Sequence, residues 1–341
     1  MSMLTRRRLL AGFLAAAAFA GFGAACSGNT PSDSYARPVE TPEPTPTRPV
    51  PTPEPTPEPT EFRVAFINLM SPIQTDANDP IAGDTFEQRL QLVIDELRSY
   101  RPDLVGFSEA TWTAKHGSAV AKLAAELKME PLFVQANPWF AGRTEQQNRE
   151  LARQIGFEEG ELVLVRSDRW VVLGATPAWL NPRTSETEGR AALHVRIKGP
   201  PALGTVDVFI THLTGGGERL RGQQAESFAE FVRKQRTGGP AIILADLSDP
   251  PGSPAYEALI GLGFEDPLAG IDPPTCCRPG VIGEQPEPTV RTSFILSAGW
   301  RASVAAAFAT KPGRLPDGRP LYASDHNGVW ALFPVPKRSG Q

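Results

Sequence analysis

The sequence predicts an α/β fold in which a mixed system of β-sheets carries helices on its outer sides. Three observations lead there. Short apolar runs with strand character recur along the chain and outnumber the helical stripes. Several of these runs follow one another with no helix between them, which excludes a purely alternating parallel sheet. Others are separated by one clear amphipathic helix, as parallel neighbours require. The chain has 341 residues. Setting aside its processed start and a Pro-rich stretch leaves roughly 275 residues, enough for one large domain with a sizeable core.

Residues 1–26 read as an export signal. Arg6, Arg7 and Arg8 supply a charged start and an Ala-rich apolar run follows. The arginine pair is similar to a twin-arginine signal. Ala24-Ala25-Cys26 is similar to a bacterial lipobox, although Gly23 stands where Leu is usual. It implies a lipid anchor at Cys26 on the outer face of a bacterial membrane; the alternative is a plain signal peptide cut after a small residue. Residues 27–60 form a tether whose repeated Thr-Pro-Glu-Pro pattern favours extended polyproline II. At about 3.1 Å per residue its Pro-rich part reaches roughly 70 Å. The domain spans 61–336, and 337–341 are a tail.

Within the domain, 62–69 reads as a strand ending near Asn68. Residues 85–100 form an amphipathic helix, with Phe86, Leu90, Val93, Ile94 and Leu97 on one face. A buried strand, 103–109, ends on Glu109. A helix follows with Val120, Leu123, Ala124 and Leu127 as its stripe. The stretch 135–160 is polar and carries no clear period. Strands recur at 162–165, 192–197 and 206–210, the last leading to His212. A helix at 217–235 precedes the strand Ala241-Ile-Ile-Leu-Ala-Asp246, whose apolar run is buried on both faces. Ser253 fits the N-cap and Pro254 the first turn of the next helix. Residues 291–296 and 322–326 then lead to a final strand, 328–333.

Asp246 therefore sits where a rigid strand meets a loop, a common place for active-site groups. Polar strand ends recur in the order Asn68, Glu109, His212, Asp246, Asp325-His326. In their contexts (64–68, 101–109, 211–213, 242–246 and 324–326) they resemble the endonuclease/exonuclease/phosphatase superfamily, which includes DNase I-like nucleases and neutral sphingomyelinases. That resemblance implies a four-layer α/β sandwich, two mixed sheets face to face with helices outside. It also implies hydrolysis of phosphate esters with Mg²⁺ or Mn²⁺. The substrate could be nucleic acid, phospholipid or a small phosphodiester, and fold alone does not choose among them.

Phosphate-ester hydrolysis needs a metal on a phosphate oxygen, an activated water and donors around the developing charge. The resemblance implies Glu109 as the metal ligand, with Asn68 orienting the metal or donating to phosphate and Asp325 touching metal or water. His326 would be the general base, His212 a donor to phosphate, and Asp246 the holder of the water or a leaving-group proton. Beside this stands a plainer reading, of strand-end polar caps and a buried Asp-His pair. An extended chain would turn Asp325 away from His326. His116 and His194 lack such contexts and read as ordinary.

Two departures matter. Ser248 stands where the superfamily usually has Asn, and Ser293 where it has the Asp that orients the base histidine. Loss of the analogous charge in a serine protease costs about 10⁴ in turnover. Asp266 and Asp272 are candidates to replace it. The departures leave a second function open, a surface binding module with the fold and little turnover. Net charge, −4, argues against gripping nucleic acid by a general basic field. Three cysteines are too few for a disulfide framework. The adjacent Cys276 and Cys277 are either two thiols or a labile bond, and with no His near them in the sequence a metal site is not expected. Trp112, Trp139 and Phe140 could stack a base or pack under loops. The domain is read as a monomer.

Overall fold

Alternation with period two decides which side of a strand meets which neighbour, and β1 (Glu61–Asn68) shows it. Phe62, Val64 and Phe66 belong to one apolar cluster, Ala65 and Ile67 to another. A computed structural model describes residues 59–336 apart from 74, 76–78, 141 and 184–188. The expected export signal, the expected lipid anchor at Cys26, the tether up to residue 58 and the tail at 337–341 lie outside the described residues. No described helix is long and apolar enough to cross a membrane.

After β1 come α1 (Pro80–Asp84), α2 (Phe86–Tyr100), β2 (Leu104–Thr113), β3 (Gly117–Ser118), α3 (Ala119–Leu127), β4 (Glu130–Asn137), α4 (Glu145–Ile155), β5 (Phe157–Val165), β6 (Val171–Trp179) and β7 (Ala191–Lys198). The chain continues through β8 (Thr205–His212), α5 (Glu218–Gln235), β9 (Ala241–Asp246), α6 (Pro254–Ile260), β10 (Ser293–Ala298), β11 (Val304–Phe308), β12 (Gly313–Arg314), β13 (Pro320–Leu321) and β14 (Gly328–Pro334).

One sheet runs β11-β14-β1-β2-β5-β4, with β3 beside β2; the other runs β10-β9-β8-β7-β6. Three apolar layers make the sandwich. Between the sheets lie Val64, Phe66, Val163, Val195, Val208, Ile210, Leu244 and Ile295. Outside the first sheet, Phe86, Leu90, Val93, Ile94 and Leu97 of α2 and Leu123 of α3 cover Ile67, Val105 and Phe107. Outside the second, Ala225, Phe228, Ala229 and Val232 of α5 cover Phe209, Ile243 and Ala245. This is the four-layer arrangement of two mixed sheets with outer helices.

The sheets approach closely at Gly106 in β2. A Cβ there would stand 2.6 Å from a methyl of Leu244 and 3.0 Å from one of Ile210, both on the facing sheet. Each sheet contains one parallel pair, β1 with β2 and β8 with β9. α2 lies on the connection between the first two strands and α5 on that between the second two. Ser253 caps α6, its hydroxyl accepting from Tyr256 N, with Pro254 in the first turn.

The unassigned stretch contains the end of β4 and all of α4, whose start is a reciprocal Thr144–Gln147 capping box. Strands β6 and β11 carried no sequence expectation. β6 is a mostly exposed sheet edge whose opening apolar run is broken by Gly174, Thr176 and Pro177. β11 is Ala-rich and half-buried. The strand expected at 103–109 runs on to Thr113, with its pairing interrupted between Phe107 and Ala110.

Candidate functional site

The carboxyl ends of the two parallel pairs bring the site together. Asn68 closes β1, and Ser108 is its register partner on β2. His212 closes β8, and its register partner Asp246 closes β9. Glu109 does not end a strand, as the sequence reading had it. It sits in the bulge of β2 with φ at +57°. Bulges of this kind re-aim a side chain beside active sites. The bulge turns the Glu109 carboxylate toward Asn68, whose Nδ2 donates to its Oε1 at 3.0 Å, while Ser71 N donates to its Oε2 at 2.7 Å.

Asn68 is the link between sheets. Its Nδ2 also donates to Asp246 Oδ2 at 3.0 Å, and its Oδ1 accepts from Met70 N at 2.9 Å. The amide thus turns its donors to the carboxylates and its oxygen to the backbone. The sequence reading had Asn68 orienting the metal or donating to phosphate; here its Oδ1 accepts from Met70 N while its Nδ2 holds Glu109 and Asp246. Of the residues expected at the metal, Glu109 and Asp325 bring carboxylate oxygens.

Asp246 is buried and central. Ser248 N donates to its Oδ1 at 3.0 Å, and His326 Nδ1 faces its Oδ2 at 3.4 Å. His212 Nε2 lies 4.0 Å from the same Oδ2. Burial resists ionisation of Asp246, yet His326, His212 and the Asn68 donor outweigh it and hold its pKa below the ordinary value. For His326, burial alone would favour the neutral ring; the carboxylates of Asp325, Asp246 and Glu109 reverse this and raise its pKa.

His212 is set in the opposite sense. Arg190 Nη1 donates to its Nδ1 at 2.8 Å. Nδ1 must then be an acceptor, so the proton sits on Nε2. Burial, then the Arg190 charge, holds its pKa down to about 3. His212 is therefore a neutral ring offering one N–H. Arg190 drew no attention in the sequence, because a basic residue just before a strand has no distinguishing pattern. Glu161 on β5 was also missed. Burial pushes its carboxyl up to about 8, against the pull of Ser108 and Arg190.

The two serine positions resolve differently. The Ser248 hydroxyl donates to Leu213 O at 2.9 Å, so its proton is engaged with main chain. Ser293 is fully buried and directly across the sheet from Asp246. Its hydroxyl has no hydrogen-bond partner among the described residues. Neither expected substitute reaches His326. Asp266 accepts from both Arg291 Nη atoms and from Tyr256 Oη, and Asp272 accepts from Arg291 Nη2. A buried guanidinium has claimed both carboxylates, and Asp246 itself is the carboxylate at Nδ1 of His326.

Asp325 also departs from expectation. Residues 323–327 bend instead of extending, and Asp325 Oδ1 comes to 3.9 Å from His326 Nε2. Cys277 Sγ stands 3.4 Å from that same nitrogen. Among the aromatics, Trp139 packs on Trp179 under a loop, and Trp112 lies inside β2, outside the strand-end cluster.

A divalent cation fits this donor set. Glu109 has its pKa raised first by burial and then by the Asp325 charge. Two carboxylates that repel one another in a partly buried place are what a hard cation binds.

No protein-family model and no curated protein matches the sequence. Solved structures do match in shape. An endonuclease/exonuclease/phosphatase family protein from Bacteroides thetaiotaomicron superposes with TM-score 0.63 at 15% identity, over 83% of this chain and 98% of that one. A mannosyl-6-phosphatase from the same organism gives 0.60 at 16% identity, over 80% and 99%. D. rerio TDP2, complexed with a single-strand DNA product, gives 0.57 at 16% identity, over 81% and 99%. At these identities the likeness is one of fold, and the chain has the DNase I-like fold of the endonuclease/exonuclease/phosphatase proteins.

Proposed function

We propose that this protein is a metal-dependent hydrolase of phosphate esters, slowed by the uncharged residue at position 293. The observation that carries the reading is the shared carboxylate of Asp246, which meets Asn68 from one sheet and both histidines at the seam. The fold adds support, since its neighbours include proteins named as a phosphatase and as a DNA-product complex.

In this reading each residue has a task set by its geometry. Asp246 faces Nδ1 of His326, which favours a proton there and leaves Nε2 to take one from the attacking water. His212, neutral with its proton on Nε2, donates to a phosphate oxygen. Asn68 holds Asp246 and Glu109 in register. Glu109 and Asp325 would hold Mg²⁺ or Mn²⁺, which when bound polarises the phosphate oxygen and offsets the carboxylate charge. With Ser293 in place of a second carboxylate, Asp246 alone faces Nδ1 of the imidazolium formed in the reaction.

The substrate reading stays at the class of phosphate monoesters and diesters. Display on the outer membrane face through Cys26, by the twin-arginine route, is part of the proposal, resting on the arginine cluster, the lipobox-like Ala24-Ala25-Cys26 and the Pro-rich tether. So is a monomeric state. Labelling with a radioactive fatty acid that fails on Cys26→Ser would support the anchor, and equal labelling of both would refute it.

The deciding assay uses bis(p-nitrophenyl) phosphate and p-nitrophenyl phosphate with Mg²⁺ or Mn²⁺. Metal-dependent turnover that chelator removes and His326→Ala abolishes is expected. No turnover on either ester with either metal would favour the binding-module reading.

A further inference from the structure

Cys276 and Cys277 form a disulfide in the structure, and the pair is fastened to the loop of His326 on both sides. Arg278 N donates to Asp325 O at 2.9 Å and Asn327 N donates to Thr275 O at 2.8 Å. Arg278 Nη2 also donates to Asn327 Oδ1 at 2.8 Å. Any change at the cysteines is therefore applied directly to residues 325–327. Cys277 is exposed and Cys276 partly so, so a soluble reductant can reach the bond.

The ligand-capable atoms of Cys276, Cys277 and His326 lie within 4.8 Å of one another. Cys277 Sγ is 3.4 Å from His326 Nε2. Two ligands of one tetrahedral zinc, at about 2.3 Å for sulfur and about 2.0 Å for nitrogen, are themselves about 3.5 Å apart. The second ring nitrogen completes the pattern. A ligating histidine commonly donates its other N–H to a carboxylate, which fixes the tautomer. Here Nδ1 faces Asp246 at 3.4 Å, leaving Nε2 toward the sulfur. Asp325 Oδ1, 3.9 Å from Nε2, is a further oxygen on the same side.

We infer that the reduced Cys276–Cys277 pair and His326 Nε2 together bind a thiophilic cation of the zinc and cadmium class, with Asp246 orienting the imidazole. A dithiol reductant opens the site: the Cys276–Cys277 bond takes two electrons and two protons, and the reductant is oxidised to its own disulfide. The cation then displaces the thiol protons to solvent. The disulfide form has no thiolate to offer and binds nothing there. Resting on the hydrolase reading, the cation would occupy the nitrogen that accepts the water proton, so binding would silence turnover in the reduced protein only.

The test reads binding without turnover. Full-length protein, reduced with dithiothreitol and freed of it under argon, is titrated with Cd²⁺ and followed by thiolate-to-cadmium charge-transfer absorption. One Cd²⁺ per reduced chain is expected, and none after diamide oxidation. Cys277→Ser should lose the absorption, and circular dichroism checks that it is folded. His326→Gln should keep thiolate absorption but bind at least tenfold more weakly, and Asp246→Asn should weaken binding about tenfold. No Cd²⁺ absorption in the reduced protein, or equal affinity in His326→Gln, would overturn the site. Cadmium binding without ester turnover would leave the site standing and remove only the hydrolase reading; turnover without cadmium binding would do the reverse.

Discussion

Two buried carboxylates in this domain face histidines, and they are built in opposite ways. Asp207 on β8 accepts from His194 Nε2 at 2.9 Å, Arg196 Nε at 3.0 Å, Thr237 N at 2.7 Å and Thr237 Oγ1 at 2.6 Å. Its acceptor positions are filled, and His194 stacks on Phe209 beside it. Asp246 shares two histidines at 3.4 and 4.0 Å, and His326 Nδ1 makes no aligned hydrogen bond among the described residues. The first arrangement ties α5 to its sheet through Thr237. The second leaves proton positions open. A histidine and a carboxylate in contact do not by themselves mark a site; incomplete satisfaction at a strand-end seam does.

The sharpest way to break the comparison is to remove one member from each pair. His326→Ala should lower turnover about 10³-fold, within the usual weight of a general base, with little change in the unfolding midpoint. Asp207→Ala should do the reverse. It strands His194, the Arg196 guanidinium and Thr237, and should cost about 3–5 kcal/mol in urea unfolding while turnover per folded molecule holds.

Acid should separate the pair next. Burial opposes ionisation of Asp207, but its donors win and its pKa falls below the ordinary 3.8. A depressed carboxyl stabilises the fold above its unfolded pKa and loses that contribution as pH falls through the folded one. Asp207→Asn should therefore be least stable relative to the wild type near neutrality, with the gap narrowing in strong acid. A constant gap across the acid range would mean that charge has no part in it.

Glu161 gives a smaller effect of the other sign. Its carboxyl is raised from 4.5 to about 8, so folding favours the protonated form. Stability should fall as pH rises from the unfolded value toward the folded one. Glu161→Gln should match the wild type in mild acid and exceed it by on the order of 1 kcal/mol in mildly alkaline buffer, read by thermal unfolding in the two buffers.

The smallest change sharpens the comparison. Ser293 is the cross-strand partner of Asp246, and partners in a ladder have Cβ atoms about 5 Å apart. Ser293→Asp would give His326 a second carboxylate and is expected to raise turnover about tenfold. Ser293→Asn, equal in size but neutral, should not.

The sequence carried most of this outline. Apolar runs marked the inner strands because those are buried on both faces, and the stripes of α2 and α5 are the faces that cover the sheets. The order of polar strand ends pointed to Asn68, Glu109, His212, Asp246 and His326, which the fold brings together. What stayed hidden depends on directions. A bulge at Glu109, the turn of the Asn68 amide and the capture of Asp266 by Arg291 leave no mark in spacing. Arg190 and Glu161 reach the site from β-strand neighbours whose local sequence reads as ordinary surface and core. The nearness of Cys277 to His326 joins residues 49 positions apart.

One bond has a wider consequence. The Asn68 to Asp246 hydrogen bond crosses from one sheet to the other, directly above the tight packing at Gly106. The reacting groups are thus divided between two plates that must not slide. Shear along the interface would separate base from donor before either plate unfolded, so the first thing lost on heating would be alignment. A ligand spanning the seam acts as a rivet, and by mass action should raise the melting temperature in proportion to the logarithm of its concentration. Oily residues far from any phosphate, Leu244 and Ile210 among them, hold the plates in step and are in that sense part of the catalyst.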